Sequence, residues 1–145
     1  MNTILHPLAR FLVALIFIMS GVGKIFGFAQ TAEMMEKVGF PAASLFLTGA
    51  IVFELVGGLS LLFGYKARFG ASLLILFLIP ATLIFHVSAL GDPAKTQLEM
   101  IQVFKNLAIL GALIKFWADG AGAFALDNLR LQTAPATRAD ETQTA

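Results

Sequence analysis

Four apolar runs, each long enough to cross a bilayer, fill most of this chain and leave few folds open to it. A run of about 20 apolar residues spans the hydrocarbon as a helix. No water is there to satisfy its backbone, so the hydrogen bonds must close within the segment. The composition agrees: 58% of the 145 residues are hydrophobic and 13% are charged. A soluble domain is about half apolar and about a quarter charged. The expectation is an all-α integral membrane four-helix bundle, with spans near 5–26, 43–62, 69–90 and 100–117. One domain over residues 1–128 uses nearly all of the chain, and a polar, small-residue tail over 129–145 is expected to be disordered.

The connections follow from local chemistry. A signal peptide is the competing reading of the first run, but no A-x-A cleavage site follows it. The segment after Gly27 is polar and suits a short interfacial helix, ended by Gly39-Phe40-Pro41. Gly64-Tyr65-Lys66-Ala67-Arg68 is a tight basic turn, and Pro80 predicts a kink inside the third span. Trp117 suits an interface. Four spans put Arg10, Lys66, Arg68, Lys115, Arg130 and Arg138 on one side, against Lys24, Lys37, Lys95 and Lys105 on the other. The positive-inside rule then places both termini of this multi-pass protein in the cytoplasm.

The spans are not clean. Glu54 is the one charge in the second run, and Arg10, Lys24, His86 and Lys105 interrupt the others. Each such charge costs about 2.5–3.5 kcal/mol to insert, so it needs a partner or a purpose. At ~100° per residue, Arg10, Ser20 and Lys24 fall on one stripe of the first helix. Gln102, Lys105 and Asn106 share a face of the fourth, and Thr82 and His86 are i,i+4 in the third. Glu54 shares its face with Ala50, Gly57 and Gly58, where small residues admit a neighbouring helix. The expected pocket gathers Glu54, Lys105, Asn106, His86, Lys24, Arg10 and Ser20, with Arg10 below Glu54 or Lys24 and Lys105 above it. Two readings stay open. The cluster is a lock that fixes helix register, or it is a site for a polar head group or a proton path through Glu54 and His86.

Other chemistry is excluded or unsupported. With no cysteine, disulfide exchange, thiolate nucleophiles, iron–sulfur ligation and Cys–zinc sites are ruled out. His6 and His86 fall near opposite membrane faces, so no metal site is expected. A net charge of +1 gives no basis for a nucleic-acid partner. No internal repeat suggests a carrier built from inverted halves.

The ordered pieces resemble one known family. They are Arg10, Ser20-Gly21-Val22-Gly23-Lys24, Gly39-Phe40-Pro41, Glu54-Leu55-Val56-Gly57-Gly58, Arg68, Phe85-His86, and Phe104-Lys105-Asn106-Leu107-Ala108 with Gly111. Their order and spacing resemble the DoxX family of small bacterial four-helix membrane proteins, over residues 5–128. Some members of that family are named for a thiosulfate:quinone oxidoreductase subunit, and others associate with redox-defence proteins. The resemblance implies a non-autonomous membrane subunit or binding module, with a quinone or lipid as ligand and a redox or stress-response protein as partner. No complete catalytic site is recognisable, so the resemblance does not decide whether the chain is an enzyme. The alternative is an assembly protein whose polar cluster only locks the bundle. The lipid bilayer is a partner on either reading, and association between copies stays open.

Overall fold

The computed structural model describes residues 2–128, and the expected disordered tail lies outside them. After a short 3-10 turn at Asn2–Ile4 come α1 (Leu5–Phe26), α2 (Phe28–Lys37), α3 (Ala43–Phe63), α4 (Ala67–Ala81) and α5 (Thr96–Asp119). No strand occurs among the described residues. Four helical stretches are long and apolar enough to cross a membrane: Leu5–Phe26, Ala43–Phe63, Ala67–Gly91 and Thr96–Asp119. The protein is therefore an all-α membrane four-helix bundle, as its apolar runs predict.

The third span does not simply kink. Pro80 sits inside α4, and a π turn over Thr82–Val87 follows at once, then a 3-10 turn over Ser88–Gly91. Proline has no N–H to give the ladder, and a π turn rotates everything beyond it relative to an α-helix. The Thr82 hydroxyl donates to the Leu78 carbonyl at 2.7 Å at this junction. The fourth span is longer than its apolar run. Thr96 donates through its hydroxyl to Leu90 O (2.9 Å) and Asp92 O (2.7 Å), so a polar first turn extends α5 back past Met100.

Both turns flanking α3 close in the left-handed way. The Phe40 amide returns to Met35 O at 3.0 Å with Gly39 at φ +81°, and the Tyr65 amide returns to Ser60 O at 3.0 Å with Gly64 at φ +62°. Gly64 is needed twice over. A Cβ there would lie 2.6 Å from Ala125 Cβ and 2.8 Å from an Arg10 nitrogen.

Packing runs in a row: α1 on α3, α3 on α4, α4 on α5. Gly57 and Gly58 make the first two contacts possible within one chain. A Cβ on Gly57 would meet Leu74 Cγ of α4 at 2.6 Å, and one on Gly58 would meet Ile18 Cγ1 of α1 at 2.9 Å. The main core holds Ala14, Phe17, Leu61, Ala71, Leu74 and Leu113, and a second cluster of Ala32, Met35, Ala43 and Leu47 seats α2 on the start of α3. Large apolar side chains such as Leu12, Met19, Leu76, Phe104 and Trp117 stay exposed, which suits a surface solvated by lipid. Between α1 and α5 a seam remains, and cavities open along it on either side of the core.

Candidate functional site

The cavity on the α2 side of that seam has a volume of about 360 Å³. Ile16, Phe17, Ser20 and Lys24 of α1 form one wall, and Lys105, Asn106 and Ile109 of α5 form the other. Leu47, Ala50 and Glu54 of α3 line it further, together with Phe77, Leu78, Ala81, Phe85 and His86 of the third span. Thr31, Met34 and Met35 of α2 complete the lining. The walls are thus apolar, with a few polar groups among them.

Glu54 is 1% exposed, so its charge rests on what touches it. Lys24 Nζ lies 2.9 Å from both Glu54 oxygens and donates its hydrogen bond to Oε1. The ammonium also donates to Ser20 Oγ at 2.5 Å and sits 5.7 Å from the centre of the Phe77 ring. Oε2 receives no hydrogen bond among the described residues. The pair exists because α1 and α3 approach closely at Gly21. A Cβ on Gly21 would come within 2.9 Å of Leu55 Cδ2 and 3.4 Å of Glu54 Cβ. Ser20 and Lys24 are i,i+4, so one helix face presents both groups to the acid.

The opposite wall carries a second polar set. Asn106 is buried and donates through Nδ2 to Thr82 Oγ1 at 2.9 Å, which ties α5 to the start of the π turn. Lys105, one residue away, is exposed at the mouth and donates to Gln102 Oε1. His86 Nδ1 lies 2.7 Å from Glu99 Oε2. Because the π turn rotates residues beyond Pro80, Thr82 and His86 do not act as one i,i+4 face. Thr82 meets Asn106, and His86 meets Glu99.

Six of the seven residues expected in the pocket line this cavity: Ser20, Lys24, Glu54, His86, Lys105 and Asn106. Arg10 does not. It lies at the Tyr65 end of the bundle, where Nη1 donates to Ala121 O (2.6 Å) and Ala123 O (3.2 Å) and Nη2 to Phe124 O (2.8 Å). Arg10 and Lys24 share a stripe, but fourteen residues of helix separate them by about 21 Å. Lys24 is therefore the base that pairs with Glu54.

Sequence reasoning passed over Glu99, assigned to a loop, and Asp127, near the end of the described residues. A signal for Glu99 existed: with Gln102 and Asn106 it forms an i, i+3, i+7 stripe on α5. Asp127 had none, because its partners are 60 residues away. It accepts from the Lys66 amide at 2.8 Å and the Ala67 amide at 3.2 Å, and so caps α4 from across the chain.

Comparison with known proteins places these features in context. The family model described as DoxX matches residues 6–87. Inner membrane protein YqjF of Escherichia coli K12 is 36% identical over 121 residues, covering 83% of this chain and 88% of that protein. Inner membrane protein YphA of the same organism is 32% identical over 126 residues, covering 86% of this chain and 89% of that protein. No solved structure matches.

Proposed function

The chain belongs to the DoxX family, and from that premise we propose that it is an inner-membrane binding module. Its ligand is an amphiphile, a quinone or a lipid, whose head enters the cavity between α1 and α5. With both termini in the cytoplasm, that cavity opens toward the outer leaflet. The module serves a redox or stress-response protein that brings the chemistry, since the chain offers no thiol of its own.

One observation carries this reading: the Lys24–Glu54 pair faces a cavity and not a packed core. A buried ion pair is often no more stable than apolar residues of the same volume. A pair kept beside empty, mostly apolar space suits a ligand with a polar head and an apolar tail. Lys105, exposed at the mouth of the cavity, is placed to meet such a head. A quinone fits this donor set, because Lys105 can donate to a carbonyl oxygen and the apolar walls accept a ring.

The test is mass spectrometry of small molecules co-purifying in mild detergent, with the Glu54→Gln variant alongside. A quinone or a defined lipid retained stoichiometrically by the native protein and lost from the folded variant is the expected result. Bulk lipid alone in both samples would leave only the helix lock.

A further inference from the structure

The charges around the cavity do not balance, and the imbalance says which head group belongs there. Glu54 is the only acid among the lining residues, and Lys24 already holds it, with its ammonium 2.9 Å from each oxygen. His86 is held from outside the lining by Glu99 at 2.7 Å. Lys105 is different. It donates to the neutral amide oxygen of Gln102, and no acid lies in ion-pair contact with it among the described residues. The cavity therefore presents one positive charge that no acid among the described residues compensates.

Position makes this charge consequential. Lys105 lies nine residues into α5, about 14 Å along the helix from Thr96. Its bond to Gln102 directs the ammonium one turn back toward the α2 end. It stands at the mouth, where the cavity between α1 and α5 meets the exposed apolar surface of Phe104, Leu107 and Ile16. A cation at such a place is stabilised by an anion far more than by a neutral group, because the surroundings screen poorly.

We infer that the ligand is an acyl-chain amphiphile with an acidic head, bound with its anion on Lys105 and its chain leaving through the seam between α1 and α5. This rests on the binding-module reading and narrows its ligand class. The anion is a carboxylate or a phosphate, and both match an ammonium that donates three hydrogen bonds. The apolar wall of Phe77, Phe85 and Ile109 receives the first part of the chain. The Lys24–Glu54 pair closes the far side of the cavity.

The experiment is a native mass-spectrometry titration of the full chain in a neutral maltoside detergent at mildly alkaline pH. Four probes form two matched pairs: oleate with oleyl alcohol, and dioleoyl phosphatidylglycerol with dioleoyl phosphatidylcholine. The acidic member of at least one pair is expected to bind about tenfold to a hundredfold tighter, the range for one charge-assisted contact. Preference for oleate alone identifies a fatty-acid source, and preference for phosphatidylglycerol alone a phospholipid one. Lys105→Met should abolish the preference and Lys105→Arg should keep it, while Lys115→Met, at the other end of α5, should change nothing. Lys105 is exposed, so these variants fold. Equal binding within both pairs overturns the inference and leaves the binding module intact. An acid preference that survives Lys105→Met overturns it as well. A native protein that retains none of the four probes, nor any quinone, overturns both.

Discussion

Arg10 and Glu54 are each almost wholly buried, at 2% and 1% exposure, yet the two ends of the bundle treat their charges differently. At the Tyr65 end, the Arg10 guanidinium is wrapped by backbone. Three carbonyls after α5 accept from it, Gly64 leaves room for it, and Asp127 joins the same segment to the start of α4. The contacts link α1, the turn before α4 and the end of α5 into one closed knot. At the α2 end, Glu54 is held by the Lys24 ammonium, and a cavity lies beside the pair. The lesson is that a buried charge is not by itself a sign of function. An arginine surrounded by carbonyls is a fastener, whereas an ion pair lining an open space has capacity left for a ligand.

The comparison breaks most clearly at Arg10. Arg10→Leu strands two or three carbonyls, each worth about 1–3 kcal/mol, so a loss of roughly 3–5 kcal/mol is expected. Thermal unfolding in detergent measures it, and a variant melting like the native protein would show that the knot does not fasten the bundle. Glu54→Gln comes next. It leaves Lys24 without its acid, but that side chain is 25% exposed and can turn toward water. A cost of about 2 kcal/mol is expected, below the full penalty for breaking a buried pair. The double change Lys24→Met with Glu54→Leu sharpens the contrast. It should recover most of that stability while ligand retention stays lost. Recovery of both would assign the pair to structure alone. The smallest effect is at Asp127. Asp127→Ala removes the cap of α4 and should cost about 1 kcal/mol by the same unfolding measurement, with ligand retention unchanged.

Much of the fold was legible in order. Long apolar runs have one solution in a bilayer, so the four spans, the glycine-led turns around α3 and the short helix α2 followed from the residues. The π turn after Pro80 did not, although the third span ends at Gly91, one residue past its expected limit. Nor did the start of the fourth span. The fourth begins at Thr96, because side-chain bonds extend it beyond its apolar stretch. In the site, helical periodicity brought Ser20 and Lys24 together and put Gln102 beside Lys105. It could not say which base meets Glu54, because periodicity gives the angle around a helix and not the height at which a neighbour sits.

Length and hydropathy alone thus determined the solvent, the helix count and the cost of each charged side chain. Which charges pair, and which one remains open, was decided by the tertiary structure. The close approach of α1 and α3 at Gly21 fixes the level at which Lys24 and Glu54 meet. The π turn fixes the side on which His86 finds Glu99, and the segment after α5 folds back to take Arg10. Ionic and hydrogen-bonding forces act over a few ångströms, and those distances exist only once the helices have packed.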